Sequence, residues 1–268
     1  MIKSITIASG KGGVGKTCIA VNLAIMYARL GQRVCLFDAD FGLANSHILM
    51  GKNAQKTLHD TLVGGVALED IIEVGPDGVN LLAGGNGLVD MMNINSAARY
   101  QLIRNVDTLS EKIDILITDA PAGASDSALA FVAASQYVLV VVVAEPTSFM
   151  DAYAMIKAAN YEHKTRNFSV VINMAKDGTE ALCNFKRFQK ITMQFLDVNL
   201  FFAGHVPFSK PMRRSVVQRK PLLASSSIQP EMELIAFKAL AENIFKAKQN
   251  VYDGIRFFDD QPTLKDVV

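Results

Sequence analysis

The residues best suited to chemistry in this chain form one glycine-rich run that also contains two lysines and a threonine. The run reads Gly10, Lys11, Gly12, Gly13, Val14, Gly15, Lys16 and Thr17, and it matches the G-x-x-x-x-G-K-[ST] pattern of a phosphate-binding loop. Glycines let backbone N–H groups close around anionic oxygens, and a following helix N-terminus adds its positive end. Lys16 is expected to reach the β- and γ-phosphates of a nucleotide, and the Thr17 hydroxyl is expected to bind Mg²⁺.

The flanking chain supplies the strand and the helix that such a loop needs. An apolar, β-prone run with Ile2, Ile5 and Ile7 precedes it, and a helix-like run over residues 18–30 follows it, with Gly31 as the C-terminal cap. This context disfavours the alternative, a glycine-rich turn that binds nothing.

Carboxylates follow two further predicted strands. The apolar run 34–37 ends at Asp38 and Asp40, and the run 113–118 ends at Asp119. Ligands of open α/β sheets bind at the carboxyl ends of the strands. Asp119 fits the Walker B pattern, in which an aspartate after a hydrophobic strand holds Mg²⁺, often through water. Asp38 and Asp40 are either solvated loop charges or groups that bind magnesium and position water.

The remaining pattern predicts a three-layer, doubly wound and mostly parallel sheet, because strands alternate with helices. Further strands are predicted at 79–82, 137–143, 168–172 and 200–206. Short helical pieces are predicted at 57–62 and 68–72, and longer helices at 96–109, with Ser96 as N-cap, and at 231–248. Another helix is expected to begin near Met150 or Asp151.

Composition excludes several classes of protein. The 268 residues include 27 basic and 26 acidic side chains, and this balance argues against a dedicated nucleic-acid binder, so DNA binding is not expected. The basic run 210–220 is interpreted as a solvated loop beside the nucleotide pocket. Three isolated cysteines, Cys18, Cys35 and Cys183, fit a reducing cytoplasm rather than disulfides or a metal cluster.

No membrane or targeting segment is expected. The apolar run 138–144 is too short to span a membrane, and a first strand at residue 2 leaves no room for a signal peptide.

The second lysine of the loop, Lys11, has no obvious role within one subunit, and G-K-G-G-V-G-K-T resembles the deviant Walker A motif of the MinD/ParA ATPases. That resemblance implies a P-loop NTPase fold, ATP and ADP as ligands, Mg²⁺, and a homodimer in the ATP state in which Lys11 contacts the partner's phosphates. It also implies that Asp40 orients the attacking water and that Asp38 supports the magnesium shell or Lys16. Nucleotide contacts are then expected from Gly10 to Cys18, with Gly123 near the γ-phosphate and Asn173 and Pro207 at the adenine. For Asn173, a turn-capping amide is the alternative.

Downstream blocks resemble the FlhG/FleN branch of this family. They are D-A-D-F-G-L-A-N at 38–45, T-L with Asp60 at 57–60, L-E-D-I-I at 68–72, L-A-G-G at 82–85, E-P-T-S with D-A-Y-A at 145–154, and V-I-N-M-A at 171–175. The resemblance implies a slow, nucleotide-switched ATPase that regulates flagellar number and placement through protein partners. Those partners would be a flagellar SRP-type GTPase, an enhancer-binding activator or a C-ring component.

Two departures keep an alternative open. D-A-P-A-G at 119–123 is closer to the D-x-P-A-G of MinD, so a MinD-like division-site ATPase or a ParA-like positioning ATPase, acting on membrane or nucleoid, is the competing function. In addition, Met1 lies one residue before the first strand, so the stimulation of a partner GTPase, which an N-terminal extension provides in some members, is not expected.

The chain is predicted to comprise an ATPase domain, 1–248, and a C-terminal tail, 249–268. An apolar stripe in the last helix can be continued through Val251, Ile255 and Phe258, resembling the amphipathic membrane helix of MinD and FlhG relatives. Gly254 weakens such a helix, and neighbouring acidic residues would be repelled by anionic lipid. The tail therefore either docks against the protein's own fold or contacts the membrane reversibly from the cytoplasm.

Overall fold

The computed structural model describes residues 2–42, 44–85, 95–224, 231–251 and 254–258. These residues form an eight-stranded sheet with the order β3-β4-β2-β5-β1-β6-β7-β8. Every neighbouring pair is parallel except the edge pair β3–β4. The strands are β1 (Lys3–Ala8), β2 (Val34–Asp38), β3 (Glu73–Val74), β4 (Asn80–Leu82), β5 (Ile115–Asp119), β6 (Tyr137–Val143), β7 (Asn167–Ala175) and β8 (Asn199–Pro207).

Helices connect the strands and cover the sheet. They are α1 (Lys16–Arg29), α2 (Ser46–Leu49), α3 (Leu58–Leu62), α4 (Ser96–Asn105), α5 (Asp126–Ala134), α6 (Pro146–His163), α7 (Gly178–Phe195), α8 (Lys210–Val217) and α9 (Glu231–Ile244), with 3₁₀ turns at Leu68–Ile71, Pro76–Gly78 and Val106–Leu109. The architecture is the predicted doubly wound, mostly parallel sheet.

The sheet is buried because its central strands are apolar on both faces. All seven residues of β6 are buried, as parallel strands covered by helices on both sides require. Helix α1 packs on one face together with α9, and Tyr27 of α1 donates a 2.8 Å hydrogen bond to the carbonyl of Ala241. Since β1 and α1 are both fixed in this core, the loop between them is held at the carboxyl edge of the sheet.

Several helix boundaries differ from the sequence prediction. Helix α6 begins at Pro146 rather than near Met150, since proline is well suited to a first helical turn. Asn95 caps α4 by accepting a 2.8 Å hydrogen bond from the Ala98 N–H, so Ser96 is not the cap. Residues 210–217, interpreted as a loop, form helix α8, and helices α5 and α7 were not predicted.

The described part of the tail docks on the body of the protein. Helix α9 ends at Ile244, and residues 254–258 are not helical, so the continued amphipathic helix is wrong for these residues. Phe257 is 2% exposed, lies against Phe37 and Phe131, and donates a 3.0 Å backbone hydrogen bond to Ala134. Residues 252–253 and 259–268 of the predicted tail lie outside the described residues. Within the described residues, no helix is both long and apolar enough to cross a bilayer.

Candidate nucleotide-binding site

The glycine-rich loop connects the end of β1 at Ala8 to the start of α1 at Lys16. Gly13 and Gly15 have φ angles of 79° and 87°, a backbone region that side-chain-bearing residues rarely adopt. Gly15 occupies the N-cap of α1, where no side chain caps the helix. The first N–H groups of α1 therefore lie beside the loop, as in phosphate sites at helix N-termini.

Close packing fixes the loop from behind. A Cβ atom on Gly10 would overlap the backbone of Asp151 and Ala152 in α6, and a Cβ on Gly15 would overlap the side-chain amide of Asn173. The N–H of Gly123, expected near the γ-phosphate, donates a 2.8 Å hydrogen bond to the carbonyl of Ser9 in this structure. Neighbouring elements thus hold both ends of the loop.

Lys16 lies in a buried ion pair beneath the loop. Its Nζ atom is 2.6 Å from Oδ1 of Asp119, and the two side chains are 7% and 0% exposed. The second oxygen of Asp119, Oδ2, is buried without a hydrogen-bond partner among the described residues. A buried carboxylate oxygen without a partner is unfavourable, so this atom has unused capacity to bind a ligand.

Sheet register places a second carboxylate beside this pair. Asp38 of β2 is paired in register with Asp119 of β5, and it accepts hydrogen bonds from the N–H groups of Ser46 at 2.9 Å and Asp40 at 3.2 Å. Burial, followed by the nearby charge of Asp119, raises the pKa of Asp38 well above its usual range. Two carboxylates and one ammonium group therefore share a buried site at the ends of neighbouring strands.

Lys11 has partners within its own subunit. Its Nζ atom donates hydrogen bonds to Oε2 of Glu145 at 2.9 Å and to Oγ1 of Thr147 at 3.0 Å. Lys11 therefore has contacts within one subunit that the sequence did not indicate. The Lys11 and Glu145 side chains are 30% and 61% exposed, and exposed ion pairs of this kind are weak.

A cavity of about 810 Å³ opens in front of the loop. Its lining includes Asp40, Asn173 and Pro207, the last two at the ends of β7 and β8, and the loop residues Lys11, Gly12, Gly13, Gly15, Lys16, Thr17 and Cys18. Of the predicted loop contacts, Gly10 and Val14 do not line it. The buried Asn173 amide donates a 2.7 Å hydrogen bond to the carbonyl of Val14. The structure thus brings most of the predicted phosphate contacts and both predicted base contacts to one cavity, while Asp38 and Asp119 lie fully buried behind it.

Helix α8 forms a wall of this cavity that sequence reasoning missed. Met212, Arg213, Val216 and Val217 line the cavity, and the Met212 sulfur lies 3.2 Å from the Cys18 sulfur. Ser209 caps α8 by accepting a 3.1 Å hydrogen bond from the Met212 N–H, with Pro211 in the first turn. A serine followed closely by proline is a helix-start signal that could have identified this wall.

Similarity to known proteins agrees with this geometry. A family model described as ParA, NUBPL iron-transfer P-loop NTPase, matches residues 1–245. The chain is 38% identical over 243 residues to the antiactivator FleN of Pseudomonas aeruginosa, covering 91% of this chain and 86% of FleN. It is 33% identical over 222 residues to the flagellum site-determining protein YlxH of Helicobacter pylori, covering 82% and 74% of the two chains.

The fold is also that of a solved MinD. The septum site-determining protein MinD of Pyrococcus horikoshii, complexed with Mg-ADP, has a TM-score of 0.71 and 22% identity, covering 92% of this chain and 97% of MinD. These similarities confirm the predicted resemblance to MinD/ParA ATPases and to the FlhG/FleN branch. The chain belongs to the ParA family of P-loop NTPases.

Proposed function

We propose that this protein is a slow, Mg²⁺-dependent ATPase that regulates flagellar number and placement by switching between an ADP-bound monomer and an ATP-bound homodimer. The observation that carries the proposal is the buried cluster of Lys16, Asp119 and Asp38 directly behind the glycine-rich loop. A lysine and two carboxylates at this place can bind a nucleotide phosphate and its metal ion together.

The donor set suits magnesium. Mg²⁺ prefers oxygen ligands and is usually held by one or two carboxylates together with water and substrate phosphates. The unpartnered Oδ2 of Asp119 is such an oxygen, and Thr17, at the start of α1, lines the cavity in front of Asp119 and would supply a hydroxyl. Thr17 and Asp119 would hold the ion, and Asp38 would support it. Bound magnesium neutralises charge on the phosphate oxygens.

The residues of the loop would bind and orient the nucleotide. Backbone N–H groups from Gly10 to Cys18 would bind the phosphate oxygens, and Lys16 would exchange Asp119 for the β- and γ-phosphates. Asn173 and Pro207 line the cavity at the ends of β7 and β8, where they would contact the adenine. Asp40, at the cavity wall, would position the water that attacks the γ-phosphate.

Dimerisation would require Lys11 to leave its ion pair with Glu145. Its ion pair with Glu145 is partly exposed, so little free energy holds it within the subunit. In the ATP state Lys11 would leave Glu145 and contact the phosphates of the partner subunit. A cation delivered there stabilises charge that develops during phosphoryl transfer, as an arginine finger does.

Flagellar control is the output that the similarity to FleN and YlxH supports. The partners would be a flagellar SRP-type GTPase, an enhancer-binding activator or a C-ring component, recognised by the ATP-bound dimer. The proposed output is protein binding rather than chemistry on a metabolite.

Two measurements test the proposal. Sedimentation with a non-hydrolysable ATP analogue and Mg²⁺ is expected to give dimers, and sedimentation with ADP is expected to give monomers. Monomers in both states would refute the switch. Affinity capture with the Asp40→Ala variant loaded with ATP is then expected to recover a flagellar partner, and recovery of division-inhibitor proteins alone would refute the flagellar output.

A further inference from the structure

Helix α8 presents one face to the nucleotide cavity. Met212, Arg213, Val216 and Val217 all line the cavity, and residues spaced by three or four positions share a helix face. The sulfur contact between Met212 and Cys18 joins this face to the first turn of α1. After the helix, the N–H of Leu223 donates a 3.0 Å hydrogen bond to Oδ1 of Asn22 in α1. Helix α8 is thus fixed against the helix that begins at the phosphate site.

The charges of the cavity are unevenly balanced. Among the described residues, the lining includes four cations, Lys11, Lys16, Arg213 and Arg219, and one carboxylate, Asp40. Lys11 is paired with Glu145 and Lys16 with Asp119. Arg213 makes no ion pair with any residue in the described ranges. An arginine that faces a cavity without an anionic partner is suited to an anion that arrives from solution.

Helix α8 contacts the first turn of α1 through the residue next to Arg213. Arg213 follows Met212, which contacts Cys18, and Cys18 follows Thr17 at the start of α1. Arg219, in contrast, lies beyond the end of α8, where its backbone carbonyl approaches Gly51. An arginine side chain can reach several ångströms and presents a planar fork that fits phosphate oxygens.

We propose that Arg213 binds the phosphate chain of the nucleotide and increases affinity for ADP and ATP from outside the glycine-rich loop. The inference rests on the proposed function, because it requires that the cavity binds these nucleotides. Arg213 is exposed in the free protein, so its contribution is that of a partly solvated charge. Removing it is expected to weaken ADP and ATP binding by about fivefold.

Binding titrations with adenosine, ADP and ATP, the last two with Mg²⁺, test the proposal in four proteins. These are the unaltered chain, Arg213→Leu, Arg213→Lys and the control Arg214→Leu, which removes an equal charge from the same helix at a residue outside the cavity lining. Arg213→Leu is expected to weaken ADP and ATP about fivefold while leaving adenosine affinity unchanged. Arg213→Lys is expected to restore part of the loss, and Arg214→Leu is expected to bind all three ligands normally.

The titrations distinguish failure of the Arg213 proposal from failure of the proposed function. If Arg213→Leu binds ATP within twofold of the unaltered chain, or loses adenosine and ATP affinity equally, Arg213 does not bind phosphate. An equal loss in Arg214→Leu would assign the effect to general charge and would also overturn the inference. If the unaltered chain binds neither ADP nor ATP, the proposed function itself fails.

Discussion

Neutralising Glu145 is expected to strengthen the ATP-bound dimer. In the free subunit Lys11 is held by Glu145 at 2.9 Å, and the proposed dimer requires both subunits to release this contact. With side chains 30% and 61% exposed, such a pair contributes about 0.5 kcal/mol. Two released pairs correspond to about 1 kcal/mol, so Glu145→Gln is expected to lower the dimer dissociation constant about fivefold.

Sedimentation equilibrium over a range of protein concentrations, with an ATP analogue and Mg²⁺, measures this constant. Glu162→Gln is the matched control, because it removes the same charge from an exposed residue near the other end of α6. The difference between Glu145→Gln and the unaltered chain is expected to shrink at high salt, which screens exposed charges. A dimer of equal or lower stability in Glu145→Gln would refute the view that the ion pair opposes dimerisation.

Three further substitutions separate binding, turnover and folding. Lys11→Ala is expected to retain ATP binding but lose ATP-dependent dimerisation and turnover; a dimer in sedimentation would contradict the proposed role of Lys11. Asp40→Ala is expected to lower ATP turnover about 100-fold while the ATP-bound dimer persists, and turnover close to normal would exclude it as the water-positioning group. Phe257→Ala is expected to lower the free energy of unfolding by about 3 kcal/mol, measured by denaturant titration. Ile255→Ala, at a residue 38% exposed, is its control, and equal losses in both would show that Phe257 adds no special stability.

Local signals predicted the strand, glycine-rich loop and helix of the candidate site well because the residues concerned are neighbours in the sequence. The glycines, Lys16 and Thr17 lie together between one strand and one helix, so no distant contact is needed to identify them. Asp38 and Asp119 were also predictable as a pair. Each lies at the carboxyl end of an apolar strand, and the carboxyl ends of parallel strands meet at one edge of the sheet. In the structure the two residues are direct neighbours across the parallel strands β2 and β5, as this rule predicts.

Contacts between distant residues could not be predicted in the same way. Lys11 and Glu145 are separated by 134 positions, and nothing near Lys11 in the sequence indicates which acidic residue will face it. Helix α8 was missed because its run of basic residues resembles a solvated loop, although Ser209 and Pro211 mark a helix start. Phe257 is buried by an aromatic cluster with Phe37 and Phe131, which forms only after three distant segments have folded together.

The tight fit of Gly10 against α6 changes how substitutions in the glycine-rich loop should be interpreted. A methyl group at this position would overlap main-chain atoms of Asp151 and Ala152, and main-chain atoms cannot rotate away as the end of a long side chain can. Gly10→Ala would therefore push the loop and α6 apart before any ligand is present. Loss of nucleotide binding in such a variant would therefore reflect the displaced loop and not a lost contact with the ligand. Gly12, in contrast, has open space around it, so a substitution there would test contact with the ligand itself.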